Sequence, residues 1–435
     1  MAPPAIVYYG DDFTGATDTL GTAARAGLRA LLFLRLPSTA QLHAAGALDC
    51  LGIAGAARAM SPDEMRAELA PVAALFGRLG ARVLHYKVCS TFDSAPAVGS
   101  IGVAVDTLRR GVPGAQLAVI GGQPDLGRYC LFGNLFARAG SEGEVYRIDR
   151  HPTMSRHPVT PMHEADLRCH LALQGLDALQ AVPWTWLADA TDARPANLFD
   201  AAAGEGGVLF DVADAASLSR IGELLWRTSA DAPVLAAGAS SVVQALAPRI
   251  ASGPAPARPL APVTGPVFAL AGSLSPVTAA QVAQAQPLFE TLWIDPQRLC
   301  ESEAFVADTA GRLVQSLQAG RHTLACTVRP GQPPAGDAGV GGRDLALAGG
   351  RLLRRVLDAA PQVRRVVVAG GDTSSHGVQA LDAWGLSYLA AVSPGVSLCR
   401  LHSDRPRLDG LEIALKGGQM GAPDLFGRLV AGDGH

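Results

Sequence analysis

Short apolar runs alternate along the chain with longer segments whose apolar residues recur at helical spacing. AIVYY, RALLFL, ALDCLGIAG, RVLHYKV, AQLAVIGG, GGVLFDV and APVLAAG read as strands. Between them, TDTLGTAARAG, SPDEMRAELAPVAALFGRLG, SIGVAVDTLRR and AASLSRIGELLWRTS read as helices. In the second of these, Ser61 can cap the helix and Glu64 can reach back to it. The strand–helix–strand rhythm predicts an α/β protein with largely parallel sheets flanked by helices.

The rhythm breaks once. IASGPAPARPLAPVTGP, from Ile250 to Pro266, is rich in Pro, Ala and Gly and has no apolar period. After it, VFALAGS, TLACTV, RRVVVAGG and LEIALKGG resume the strand pattern. The expected division is a domain over 1–250, a linker over 251–265 and a second domain over 266–435. A chain of 435 residues is long enough for two or three domains, and 49% hydrophobic content can fill a core in each.

Charge and cysteine usage narrow the function classes. A net charge of −3 gives no footprint for nucleic acid. No run of about 18 apolar residues predicts a membrane span. The opening MAPPAIVYYGDD lacks a basic region, an apolar stretch and a cleavage site, so secretion is not expected. Seven cysteines without a CxxC pair point to reduced thiols and a cytoplasmic protein. A homo-oligomer is left open.

The strand AIVYY runs into Gly10, Asp11 and Asp12, with a helix expected from Gly15 or Ala16. Ligands of open α/β sheets bind beyond the carboxyl ends of strands, where this pair of carboxylates falls. One aspartate could take a proton from a hydroxyl, and Thr14 with the helix amides could hold an anion. Equally, one aspartate could be a helix cap and the other a solvated neighbour. A second polar cluster follows RVLHYKV: Lys87, Cys89, Ser90, Thr91, Asp93 and Ser94 suit a carboxylate or polyol. A packed thiol is the expectation for Cys89. In YRIDRHPTMSRHPVTPMH, Arg150, Arg156 and His157 could hold an anion or face water. His151, His157 and His163 are six residues apart, which matches no helical metal motif, and no metal ligands are assigned.

Three loops in the second half each follow a predicted strand. They are Gly272-Ser273-Leu274-Ser275 before Pro276, Gly370-Gly371-Asp372-Thr373-Ser374, and Lys416-Gly417-Gly418 with Gly421. Glycines admit a ligand to the backbone, hydroxyls donate to phosphates, and Lys416 can neutralise one. None is GxxxxGK[ST] or GxGxxG, yet together they argue for a nucleotide domain.

GDDFTGATDTL, YKVCSTFDS with GSIG, RHPVTPM, AGSLSPVT, VVVAGGDTS and LKGGQMGAPDLF occur in that order. As a set, spanning residues 5 to 428, they resemble the four-carbon acid sugar kinase family. The resemblance implies a substrate-binding domain, a nucleotide-binding domain, and ATP with Mg²⁺ as phosphoryl donor. It also implies that Asp11 or Asp12, Arg58 and the Lys87–Ser90 stretch contact the sugar acid. Ser275, Gly370–Thr373 and Gly418 would contact ATP. CSTFD and RHPVTPM are closest to the 3-oxo-tetronate 4-kinase branch; D-threonate, D-erythronate and 3-oxo-isoapionate kinases are the alternatives. Departures from the family pattern are Lys-Gly-Gly-Gln for Lys-Ser-Gly-Asn, Asp372 for Glu, and the segment from Gly121, where only Arg128 and Tyr129 are kept. An NAD-dependent oxidoreductase and a non-catalytic sugar-acid sensor are weaker readings of the same glycine loops.

Overall fold

The computed structural model describes residues 2–433 except 141–142, 203, 205, 252, 254, 256–258, 273–274, 328–340 and 419; within its helix, the side chains of Asp372 and His376 also lie outside the description. The chain forms two compact units, Met1–Leu31 with Leu36–Ala255, and Leu32–Arg35 with Pro256–His435. Each is an α/β unit, as the strand–helix rhythm predicts.

The first unit holds β1 (Ile6–Gly10), β2 (Ala30–Phe33, shared with the second unit), β3 (Cys50–Ala54), β4 (Val83–Lys87), β5 (Gln116–Ile120), β6 (Gly122–Gln123), β7 (Arg128–Leu131), β8 (Asn134–Arg138), β9 (Val145–Arg147), β10 (Leu179–Val182), β11 (Gly207–Phe210) and β12 (Val234–Gly238). Its main sheet runs β10-β11-β5-β12-β4-β1-β3, and every neighbouring pair is parallel. The register brings Gly10 level with Ala54 on one side and Lys87 on the other, and Lys87 level with Gly238. Strands β1, β3 and β4 are buried at every position, so their continuous apolar runs are those of a sheet covered on both faces. The chain leaves β1 toward β3 on one side and returns to β4 on the other. Strand order therefore reverses between β1 and β4, the switch point where α/β sheets bind ligands.

AQLAVIGG is not one strand. β5 stops at Ile120, and Gly122 (φ +107°) turns the chain into an antiparallel sheet, β6-β7-β8-β9. The buried Asp211 carboxylate anchors that sheet by accepting from the amides of Phe132, Gly133 and Trp184.

The second unit holds β13 (Val267–Ala271), β14 (Glu290–Trp293), β15 (Thr323–Cys326), β16 (Arg365–Ala369), β17 (Gly385–Ser393), β18 (Val396–His402) and β19 (Glu412–Lys416). The order is β14-β15-β13-β16-β19-β18-β17, parallel through β19 and antiparallel beyond. RALLFL, read as a strand of the first half, contributes Leu32 and Phe33 to this unit, where they pair antiparallel with Leu386 and Gly385. Part of the Pro-rich stretch is packed rather than free: Leu260 is buried, and the Ala261 carbonyl accepts from the buried Arg365 guanidinium at 2.9 Å.

Candidate active site

The helix after β1 begins at Phe13, earlier than Gly15, because Asp12 caps it: its Oδ1 accepts from the Gly15 amide at 2.9 Å. The alternative of a cap beside a solvated aspartate therefore holds for Asp12 alone. Asp11 is 4% exposed. Its amide donates to the Lys87 carbonyl and its carbonyl accepts from the Arg58 amide, so the backbone itself draws the ends of β1, β3 and β4 together. Arg58 then forks onto Asp11, Nη2 to Oδ1 at 2.7 Å and Nε to Oδ2 at 3.1 Å. The same Nη2 lies 3.1 Å from Asp12 Oδ1, and Lys87 Nζ lies 3.6 Å from it.

These contacts push the two carboxyls in opposite directions. Burial raises Asp11 above the ordinary carboxylate range against the pull of Arg58 and Lys87. For Asp12, burial is outweighed by Arg58, Lys87 and the Gly15 amide, and its carboxyl is held below that range. Burial works against the Arg58 charge, but Asp11 and Asp12 together hold it well above its ordinary value. Asp12 Oδ2 has no hydrogen-bond partner among the described residues, and the side chain is 23% exposed against 6% for Asp11. Gly15 makes the approach feasible, since a Cβ there would stand 1.6 Å from Lys87 Nζ. Thr14 Oγ1 is buried without a partner among the described residues.

Cys89 Sγ lies 2.9 Å from Thr91 Oγ1, which donates to Asp93 Oδ1. Burial pushes the Cys89 thiol up to about 11, so it stays protonated. Ser90 is half-buried beside it. Ser94 points elsewhere, bonding the Phe92 carbonyl and His170. The Arg150 side chain is 77% exposed beside Asp149, and His157 Nδ1 accepts from Thr160; among the described residues no hydrogen bond or ion pair joins either to Asp11 or Asp12.

In the second unit, the register aligns Ala271, Ala369 and Lys416, so the three glycine loops leave the same edge of one sheet. Ser273 lies outside the described residues. Ser275 caps the helix Pro276–Ala285 by accepting from the Val277 amide. Gly370, at φ +133°, uses a conformation closed to side-chain-bearing residues, and its amide donates to the Lys416 carbonyl. Thr373 and Ser374 lie in the first turn of the next helix, Gly371–Ala380; Ser374 Oγ bonds the Val368 carbonyl, turning its hydroxyl inward. Gly371 is exposed at that helix start, and Gly417 and Gly421 flank the Gly418 turn.

Lys416 is fully buried, and burial lowers its pKa to about 8. Its Nζ donates to Thr278 Oγ1 at 2.7 Å and to the Gly418 carbonyl at 3.3 Å, with no carboxylate among its partners in the described residues. Thr278 in turn donates to the Gly418 carbonyl, and Gln281 Nε2 lies 2.9–3.1 Å from the carbonyls of Met420, Gly421 and Ala422. Sequence reading missed Thr278 and Gln281. The signal was present, because Ser275, Thr278 and Gln281 recur every three residues and so share a helix face.

Among the described residues no helix is long and apolar enough to cross a membrane, and no three metal-ligating side chains cluster. Family models for a sugar-binding N-terminal domain and a nucleotide-binding C-terminal domain match residues 6–246 and 268–426. The chain is 40% identical to the 3-oxo-isoapionate kinase of Paraburkholderia graminis over 98% of its own length and 94% of that protein. It is 32% identical to the 3-oxo-tetronate kinase of Methylobacterium radiotolerans over 97% of each. Crystal structures from Salmonella typhimurium LT2 (24% identity, 98% of each chain, TM-score 0.79) and Haemophilus influenzae (23%, 97% and 98%, TM-score 0.73) share the fold.

Proposed function

This chain belongs to the four-carbon acid sugar kinase family, and on that premise we propose that it transfers the γ-phosphoryl group of ATP to the terminal hydroxyl of 3-oxo-isoapionate. Sequence reading put 3-oxo-tetronate first. The 40% identity to a 3-oxo-isoapionate kinase, against 32% to a 3-oxo-tetronate kinase, supports reversing that order. It is a phosphotransferase acting on sugar acids in either case.

The observation that carries the reading is Asp12, a carboxylate kept ionised by two cations with one oxygen open. In the proposed step Asp12 accepts the hydroxyl proton, the hydroxyl oxygen bonds the γ-phosphorus, and the β–γ bridging bond breaks to release ADP. Asp11 orients Arg58. Lys87 and Thr14 hydrogen-bond the acceptor's hydroxyls, with Ser90, Thr91 and Asp93 beside them. The donor is read as MgATP. Mg²⁺ keeps water and phosphate ligands and needs no cage of protein side chains. Lys416, Ser275 and the Gly370–Thr373 and Gly417–Gly421 segments are assigned to its phosphates; Ser374 is not, because its buried hydroxyl is spent on the Val368 carbonyl. A buried lysine with no carboxylate partner among the described residues is expensive unless an anion arrives, which supports the assignment. Positioning and charge neutralisation then carry the chemistry. Free thiols and use of ATP favour the cytoplasm.

Coupled ADP release over 3-oxo-isoapionate, 3-oxo-tetronates, D-threonate and D-erythronate tests this. The expected result is the highest kcat/KM on 3-oxo-isoapionate. A tetronate preferred by about tenfold overturns the substrate order, and no ADP from any acid overturns the kinase.

A further inference from the structure

The acceptor of the proposed reaction is an anion, yet the cations nearest Asp12 are already neutralised. Arg58 spends Nε and Nη2 on two carboxylates, and Lys87 faces Asp12. Asp93 adds another negative charge close enough to act on Arg58. A sugar-acid carboxylate brought here needs a cation that these aspartates have not claimed.

Arg128 is such a cation. It opens β7, paired with Gln123 in β6 and Ala137 in β8. β6 begins two residues beyond β5, so this small sheet rises from the carboxyl edge of the main sheet, the edge that carries Asp11, Asp12 and Lys87. Arg128 Nη1 donates to the Leu126 carbonyl, while Nε is buried with no partner among the described residues. The charged or ionisable groups that act on it are the Cys89 thiol, two residues beyond Lys87, and the Arg138 guanidinium; no carboxylate is among them. His151, on which Arg128 also acts, is neutral. Burial lowers its pKa, and its Nδ1 accepts from the amides of Thr153 and Met154. An arginine within electrostatic range of the Cys89 thiol, whose desolvated N–H has no partner among the described residues, is a half-built carboxylate receptor, since a guanidinium presents a planar fork that matches a carboxylate.

We propose that Arg128 binds the acceptor's carboxylate and so makes the enzyme select sugar acids over neutral sugars. The inference rests on the kinase reading and adds the anchor for the acid group. The test is steady-state kinetics of Arg128→Gln and Arg128→Lys with MgATP, using the preferred acid and its uncharged amide. R128Q is expected to raise KM for the acid about tenfold or more, to leave KM for ATP within about twofold, and to erase the preference for acid over amide. R128K, which keeps the charge and loses the fork, should fall between. An acid KM within about twofold of wild type in both variants overturns the proposal, as does a parallel rise in KM for ATP. Should the wild type phosphorylate no acid, the kinase reading falls alone. Acid-induced thermal shift of wild type against R128Q and R128K then decides Arg128: a shift lost in R128Q supports it, and an equal shift in all three refutes it.

Discussion

Arg58 and Asp11 form a two-point ion pair, Nη2 to Oδ1 at 2.7 Å and Nε to Oδ2 at 3.1 Å, while the same Nη2 reaches Asp12. Asp11 is thus enclosed by its partner and Asp12 is left with an open oxygen. Asp12→Asn should cut kcat by about 10²–10⁴ and lower the melting temperature near neutral pH, since Arg58, Lys87 and the Gly15 amide hold the ionised carboxylate. Asp11→Asn should leave more of kcat, and should cost about 1–3 kcal/mol of stability because Asn takes the acceptor from one prong of the Arg58 fork and the charge from both. ADP-release assays separate the two, and thermal melts check both stability losses; near-normal turnover in D12N removes Asp12 from the chemistry.

Asp12 also sets an acid limb. Its folded pKa lies below the unfolded value, about 3.9, so its contribution to stability is present above that value and is lost as pH falls through the folded one. The stability gap between wild type and D12N should therefore close as pH drops below about 4. Melting curves between about pH 2.5 and 6 give the answer, and a gap that widens toward acid contradicts the depressed pKa.

Lys416 sets the alkaline limb with the opposite sign. Its folded pKa of about 8 is below the ordinary lysine value, so its buried charge costs stability below pH 8, and the cost fades as pH rises toward about 10.4. Lys416→Met should raise the melting temperature of the nucleotide-free protein near neutral pH and weaken ATP binding. ATP phosphates favour the protonated amine, so binding near pH 8 should take up protons. Calorimetry in buffers of different ionisation enthalpy measures that uptake; none at pH 8 contradicts the assignment.

Gly15 and Gly311 are both helical glycines with opposite prospects. A Cβ at Gly15 would stand 1.6 Å from Lys87 Nζ and 2.5 Å from Asp12 Oδ1, whereas one at Gly311 meets nothing within 4 Å. Gly15→Ala should lower kcat/KM by at least about tenfold through displaced Lys87 and Asp12. Gly311→Ala should stabilise by about 0.5–1 kcal/mol with activity unchanged. Equal activities in the two variants would mean that the Lys87–Asp12 spacing does not matter.

Thr278 holds Lys416 and the Gly418 carbonyl through one hydroxyl, and Gln281 gathers the next three carbonyls of that loop. Thr278→Val and Gln281→Leu should each raise KM for ATP several-fold, with KM for the acid unchanged. Initial rates with each substrate varied in turn check this, and a change confined to the acid KM counts against the loop's nucleotide role.

The sequence by itself determined the α/β architecture, the capping box at Ser61 and Glu64, and the placing of Asp11, Asp12, Lys87 and Lys416 at strand ends. Those features are local: apolar runs, helical spacing and cap chemistry act within a few residues. It could not say which aspartate is open, because that depends on Arg58, brought from beyond β3 by strand register. Nor could it show that Leu32 and Phe33 pair with β17, that Gly122 diverts the chain into a second sheet, or that Arg128 keeps a buried N–H with no partner among the described residues. Pairing across long sequence separations decides such matters, and only the packed chain fixes which charges meet and which are left over.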